Sequence, residues 1–397
     1  PVVNWLSGVT FLGWFLVGAG FSHALMHAVS VLVVACPCAL GLATPTAIVV
    51  ATGIAMKRGL LVKKPSALEV LADIDVLILD KTGTLTLGKP IVQVWNPLPV
   101  SENSDSWKRV VAMLTSHSQH PLSKSIREWL GLVTSEGNGL SAIEEHQGLG
   151  LSGRDAQGRI WRLGSPLFME QHSIQVSQDS LETFSRQGLT MVCLGSGQDL
   201  LGTWGLADSE RPDASLMVER LRERGVRCVM ASGDRRGPAE AVGRRLNIQE
   251  VHSELLPGDK VKLVKDLQAT ARVGFLGDGF NDAPALSLAH VGIAIGSGAD
   301  AARENTDLVL INHDLCLLPF AIDLARATRS RIRQNLLWAL LYNALTLPLA
   351  AGVLVPWLGP GWTLTPEIAG LAMALSSVSV VSNSLRLRWQ FPEPGIY

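Results

Sequence analysis

With 397 residues the chain is long enough for two or three domains, and its 34 Lys and Arg against 35 Asp and Glu leave a formal charge of −1. That balance offers no electrostatic case for a nucleic-acid partner. The distribution says more: no Asp, Glu, Lys or Arg precedes Lys57, and after Arg333 only Glu367, Arg386, Arg388 and Glu393 are charged. A uniformly soluble protein does not gather its charges this way, whereas membrane segments on both sides of an aqueous block do.

Each apolar end has room for two spans, at about 20 residues per crossing. The pattern predicts a helix over 2–16, a loop over 17–28 and a second helix over 29–56. This stretch has no basic leader and no initiator Met, so it does not read as a signal peptide but as the interior of a longer protein. At the far end, 335–355 and 366–385 predict another helical pair around a loop over 357–365, where Trp357 and Trp362 suit an interfacial belt in membrane lipid. Lys57, Arg58, Lys63, Lys64, Arg326, Arg329, Arg331, Arg333, Arg386 and Arg388 all lie at the opposite ends of these segments. The positive-inside rule therefore predicts a multi-pass protein with its central block and both termini in the cytoplasm. Of the five cysteines, Cys36 and Cys38 form a pair and three are scattered. No disulfide spacing is evident, which predicts a reducing compartment.

The central block alternates short apolar runs with helical stretches. Runs at 76–79, 226–230 and 273–276 read as buried parallel strands, each followed by a turn containing Gly and Asp. Such turns at strand C-termini are where open α/β sheets bind ligands. The span from about 92 to 207 is too long for one crossover and predicts an inserted domain.

The first strand ends in Asp80-Lys81-Thr82-Gly83-Thr84-Leu85-Thr86. A carboxylate at a strand end, faced by the amides of a glycine turn, is placed to attack a γ-phosphate. The second strand ends in Ser232-Gly233-Asp234, whose hydroxyl and amides suit another phosphate oxygen. Lys260 supplies positive charge to a transferring group. The third strand runs into Gly277-Asp278-Gly279-Phe280-Asn281-Asp282-Ala283-Pro284-Ala285-Leu286, where Asp278 and Asp282 offer the hard oxygens that Mg²⁺ requires. Singly, an Asp at a turn is a cap and a Lys is a surface charge; four such pieces in order are a different matter. Together they closely resemble the P-type ATPases, whose core has the haloacid-dehalogenase-like fold.

The resemblance implies an α/β phosphorylation domain with Asp80 as the phosphorylated nucleophile. Lys81, Thr82, Ser232, Gly233, Asp234, Lys260 and Asn281 would assist it, and Mg²⁺ would sit on Asp278, Asp282 and the Thr82 carbonyl. Ser232 stands where the family usually has Thr. Phosphatases of this fold generally carry Asp at the position of Thr82, as general acid and base; its replacement implies a longer-lived phosphoenzyme. In the inserted segment, His120-Pro121 and Gly148-Leu149-Gly150 resemble the α+β nucleotide-binding domain of the heavy-metal class, which implies ATP contacts at His120, Gly148 and Gly150. Here Gln119, Thr115 and Ser165 depart from the family's Glu, Glu and Asn.

Pro37 lacks an amide and predicts a kink in the second helix, where irregular backbone lines a cavity. Cys36 and Cys38 flank it with soft sulfur, which selects Cu(I) or Zn over Na⁺, K⁺ or Ca²⁺. Tyr342, Asn343, Met373, Ser376 and Ser377 would alone be packing residues. With Cys-Pro-Cys they match the Cu(I)-transporting members, and the Lys and Asp of zinc and cadmium types do not appear. His23, Met26 and His27 share one helical face on the first outer loop, as a low-affinity metal contact or as ordinary loop residues.

The implied organisation is two membrane helices over 1–58, a phosphorylation domain over 59–91 and 208–325, a nucleotide-binding domain over 92–207, and two membrane helices with a short tail over 326–397. Partners would be lipid, Cu(I), a copper chaperone, and the N-terminal half carrying the actuator domain. Without that half, Asp80 would be loaded but not efficiently unloaded. A zinc or cadmium pump, a membrane-tethered phosphohydrolase and a non-catalytic metal-binding protein are the alternatives.

Overall fold

The computed structural model describes residues 2–98, 106–131, 139–146, 148–234, 236–278, 282–296, 306–311, 313–359 and 361–392. The chain forms two units, one of 1–73, 307–311 and 317–397, the other of 74–306 and 312–316.

The first unit opens with α1 (Val2–Leu16), α2 (Phe21–Val34) and α3 (Cys38–Lys57), followed by β1 (Leu60–Val62) and α4 (Ser66–Leu71). Gly18 and Gly20, both at positive φ, separate α1 from α2. Helix therefore resumes at Phe21, inside the stretch predicted as loop, because no glycine or proline interrupts 21–36. The helix predicted over 29–56 is correspondingly two helices, α2 and α3, parted at Pro37.

The second unit begins with β2 (Val76–Asp80), then β3 (Thr86–Pro97), α5 (Ser106–Ser116), α6 (Pro121–Leu130), β4 (Leu140–His146), β5 (Gly150–Asp155), β6 (Ile160–Gly164), α7 (Pro166–Glu170), α8 (Gln178–Arg186), β7 (Thr190–Ser196) and β8 (Asp199–Glu210). It continues with α9 (Ala214–Glu223), β9 (Arg227–Ala231), α10 (Arg236–Arg245), β10 (Glu250–His252), α11 (Pro257–Gln268), β11 (Val273–Gly277), α12 (Ala283–Leu288) and β12 (Val291–Ile295). Strands β12-β11-β2-β9-β10 lie side by side, each pair parallel. Every residue of β2, β11 and β12 is buried, as expected of strands covered on both faces. The inserted segment folds as an antiparallel sheet in the order β3-β8-β7-β6-β5-β4. One core on it gathers Trp161, Trp204, Leu114 and Leu163, and another gathers Phe168, Phe184 and Met191.

The chain returns to the first unit through β13 (Leu308–Leu310), antiparallel to β1, and then α13 (Leu317–Ala350), α14 (Val355–Leu358) and α15 (Pro366–Leu385). α13 starts well before residue 335 because the Arg326–Arg333 region, though basic, has no helix breaker. Four spans were expected. Among the described residues two stretches, Phe21–Lys57 and Pro366–Gln390, are long and apolar enough to cross a membrane, and Val2–Leu16 is apolar but shorter.

Packing in this unit is reversed from that of a soluble core. α3 buries Ala43, Ala47, Ala51 and Ala55 against α13 and α15, while Val49, Leu337, Trp338, Leu341, Leu345, Leu371 and Leu375 face outward. Small residues inside and large apolar ones outside are how helices associate in lipid. Asn335, fully buried, donates to the Ala43 carbonyl at 3.2 Å and to Ser384 Oγ at 2.9 Å, tying α3, α13 and α15 together.

Candidate active site

Parallel pairing sets the C-terminal ends of β2, β9 and β11 along one edge of the sheet. Asp80 pairs with Ala231, immediately before Ser232, and Leu79 pairs with Leu276, two residues before Asp278. The motifs spread over two hundred residues thus converge because their strands are neighbours.

Asp80 is only 4% exposed. Lys260, near the start of α11, reaches Asp80 Oδ1 at 2.5 Å and Asp282 Oδ1 at 2.7 Å. Burial, aided by the Asp282 carboxylate, pushes Asp80 from 3.8 up to about 7, against the pull of Lys260. Asp282 is likewise raised by burial, with Asp278 adding to the effect. Burial works against the Lys260 ammonium, yet the two carboxylates hold its pKa above the ordinary value. Lys81 is buried too and pairs with Asp234 at 2.6 Å.

The turn after Asp80 is braced by residues that carry no motif. Arg211 donates from Nε to the Thr84 carbonyl at 2.9 Å and from Nη2 to the Gly83 carbonyl at 3.2 Å. Asp208 accepts from Thr86 Oγ1 at 2.5 Å and from the Lys89 amide at 3.0 Å. Sequence reasoning missed both; two charges at the end of β8, one in the strand and one just after it, are the whole signal. Gly83 has φ 75°, and a Cβ there would lie 2.8 Å from Asp278 Oδ2. Glycine is what lets the Asp278 carboxylate approach this turn. Thr82 is exposed. Ser232 is buried, its Oγ accepting from the Asp234 amide at 3.1 Å. Asn281 lies outside the described residues.

The donor set fits Mg²⁺. Burial, with the neighbouring carboxylates adding to it, raises the pKa of both Asp80 and Asp282, and hard carboxylate oxygens gathered in a partly dehydrated site are what that ion takes.

A cleft of about 470 Å³ joins the two sheets of this unit. His120, Gly148, Gly150 and Ser165 line it from the inserted domain, and Gly233 and Asp234 from the C-terminal edge of the parallel sheet. His120 caps α6, its Nδ1 accepting from the Leu122 amide at 3.2 Å, so the neutral ring carries its proton on Nε2. Gly148 has φ 73° and open space about it. Gly150 is pressed on β6. Thr115 is buried and its hydroxyl turns back to the Val111 carbonyl at 2.8 Å, so it takes no place in the cleft wall. Glu145 does line the cleft and accepts from Ser118 Oγ at 2.8 Å; the sequence reading did not single it out.

In the membrane-type unit, Pro37 turns the chain between α2 and α3 and brings Cys36 and Cys38 to one side. The structure joins them as a disulfide, Cα to Cα 5.5 Å, where the spacing was expected to leave free thiols. Metal ligation requires the reduced pair. Tyr342 and Asn343 on α13, and Met373, Ser376 and Ser377 on α15, are half-buried, on helices that pack against each other and against α3.

Residues 74–290 match the haloacid dehalogenase-like hydrolases, and the chain belongs to that family. It is homologous, more narrowly, to metal-transporting P-type ATPases. It is 39% identical over 394 residues to a copper-exporting P-type ATPase of Vibrio cholerae, covering 98% of this chain and 42% of that one. It is 40% identical over 396 residues to a probable copper-exporting P-type ATPase of Archaeoglobus fulgidus, covering 99% and 48%. A silver exporting P-type ATPase of Salmonella typhimurium is 40% identical over 397 residues, covering 98% and 47%. The chain thus spans about half the length of these relatives. Among solved structures, a zinc-transporting PIB-type ATPase in the E2·Pi state matches with TM-score 0.81 and 31% identity, over 98% of this chain and 62% of that one.

Proposed function

We propose that the chain carries the catalytic and ion-conducting parts of a P-type ATPase that moves Cu(I) across a membrane, with Asp80 as the transient phosphate acceptor. One observation carries this reading. A buried carboxylate held by Lys260 at 2.5 Å stands on the same strand edge as Gly233 and Asp234, which wall a cleft shared with His120, Gly148 and Gly150. In the proposed step an Asp80 oxygen attacks the γ-phosphorus of ATP. The bond to the bridging oxygen breaks, ADP leaves, and an aspartyl-phosphate remains. Lys260 offsets the charge of the transferring group. Lys81, paired with Asp234, links the nucleophile turn to the cleft wall. Mg²⁺ on Asp278, Asp282 and the Thr82 carbonyl would supply further charge neutralisation. With Thr rather than Asp at position 82, no second carboxylate stands there to activate water, which favours a persistent intermediate.

Reduced Cys36 and Cys38 are the proposed soft ligands, with Tyr342, Asn343, Met373 and Ser376 on the neighbouring helices completing the path. Zinc is the second reading, favoured by the zinc-transporting structural neighbour. The absence of Asp or Lys between Arg333 and Glu367, and again between Glu367 and Arg386, favours copper. The proposed organisation has membrane parts over 1–58 and 326–397, the phosphorylation domain over 59–91 and 208–325, and the nucleotide domain over 92–207. The soluble domains face the cytoplasm, and a copper chaperone and the actuator domain are the proposed partners.

Labelling from γ-labelled ATP tests this. Acid-stable label is expected on the wild type and none on Asp80→Asn, with the wild-type label responding to Cu(I) or Ag(I) and not to Zn²⁺ once Cys36 and Cys38 are reduced. A response to Zn²⁺ alone would reverse the choice of ion. Steady phosphatase turnover with no trapped label would point to the phosphohydrolase.

A further inference from the structure

His23, Met26 and His27 lie in the first two turns of α2, roughly 10 to 16 Å along the helix from Val34, where it breaks before the cysteine pair, at about 1.5 Å per residue. His27 is 1% exposed, although nothing in the ATP-driven chemistry above requires an imidazole there. Its ring is held from several sides. Trp14 stacks on it with centroids 4.7 Å apart and planes within 11°, and Trp14 is itself anchored by its Nε1 donating to the Ala351 carbonyl at 2.9 Å. His27 Nδ1 lies 3.0 Å from the Ala350 carbonyl and 3.3 Å from Thr363 Oγ1. Gly352, at φ 72°, leaves the ring room, since a Cβ there would lie 2.7 Å from His27 Cε1.

A carbonyl only accepts, so the hydrogen bond to Ala350 places the proton on Nδ1. The lone pair of the neutral ring is then on Nε2. Fixing the tautomer by a bond from the other ring nitrogen to a backbone carbonyl is the usual support for a metal-ligating histidine. One turn earlier on the same face, His23 is exposed and its ring centroid lies 6.2 Å from that of His27. Two imidazole nitrogens on one ion, each about 2 Å from it, bring ring centres to about 6 Å. Met26, half-buried, offers a thioether beside them.

We propose that His23 and His27, with Met26 at hand, form a second soft-cation site on the membrane helices, apart from the cysteine pair, that takes a monovalent ion such as Cu(I) or Ag(I) between two nitrogens. The site rests on reading the cargo as a soft monovalent ion. Its place on α2 suits an ion passing to or from the cysteines.

The full chain in detergent, under reducing conditions, tests this without ATP. Cu(I) is titrated into wild type, Cys36→Ser/Cys38→Ser, and the latter with His23→Ala, reading stoichiometry by dialysis and ligands by X-ray absorption. The Cys-less chain is expected to keep one Cu(I) with two nitrogens at about 2 Å. Adding His23→Ala, an exposed position that does not threaten folding, is expected to weaken it at least about 10-fold. His27→Gln, checked for an unchanged helical spectrum, is expected to abolish it. Cu(I) bound by the wild type but not by the Cys-less chain would overturn the histidine site and leave the cargo reading standing. Unchanged affinity in His23→Ala would overturn it equally. Absence of Cu(I) from the wild type would sink the cargo reading and the site with it.

Discussion

Asp80, Asp278 and Asp282 act on one another beside the Lys260 ammonium, and the balance between them governs the site at the residue scale. For Asp80 the folded value, about 7, lies above the ordinary 3.8. The native chain therefore binds more protons than the unfolded one, and its stability drops as pH rises through that window. The whole loss is present above about pH 7. In chelator, Asp80→Asn is expected to melt above the wild type, by about 4 °C or more at pH 8 and by less at pH 5. Equal gaps in scanning calorimetry at both pH values would exclude the charge explanation. Mg²⁺ should raise the wild-type midpoint and narrow the difference, because a ligand of the native state stabilises it by mass action. That Asp80 closes a buried strand before a glycine turn was readable in the sequence. Arg211 and Asp208, which hold that turn, were not, since a braced backbone carbonyl leaves no trace in sequence spacing.

At the scale of elements, the two glycines of the cleft do different work despite lying two residues apart. Gly148 takes φ 73° in open space, so a side chain there costs backbone strain of about 1 kcal/mol. At Gly150 a Cβ would meet the Leu163 carbonyl oxygen at 2.4 Å and Gly164 Cα at 2.6 Å, so the β5–β6 pair would have to separate. Gly150→Ala is expected to cost about 1–3 kcal/mol, more than Gly148→Ala, and to weaken ATP binding through the displaced cleft wall. Denaturant midpoints and nucleotide titration of the two variants check the order; a reversed order would refute it. The helix break at Pro37 was legible because proline acts locally. The start of α2 at Phe21 was not, since an apolar stretch without breakers reads as loop or helix according to what packs on it.

At the scale of the molecule, the chain divides into two units with separate cores, and the one holding the apolar ends also takes the charged residues from Lys57 to Asp73 and from Arg326 to Arg333. The unit over 74–306 and 312–316 has its buried clusters around Phe275, Trp204 and Phe168, all within its own boundaries. A fragment over 74–316 is therefore expected to fold alone and bind ATP. Nucleotide at 100 times its dissociation constant should stabilise it by about 2.7 kcal/mol, and Cu(I) should leave its labelling unchanged. Thermal shift and labelling of the fragment beside the full chain read this directly. Metal stimulation of the fragment would show that ion sensing does not reside in the helices.

The sequence by itself determined the parts: an Asp at a strand end, its glycine turn, the Asp278 and Asp282 carboxylates, the Cys-Pro-Cys break and the sorting of charge. Each is a matter of residue type and short spacing, which local backbone geometry expresses directly. Tertiary structure alone decided what they touch. Lys260 meets Asp80 across 180 positions, Lys81 meets Asp234, Glu145 enters the cleft while Thr115 turns away from it, and His27 finds the Ala350 carbonyl across 323 positions. Such pairings depend on which strands and helices lie side by side, and no spacing along the chain encodes that.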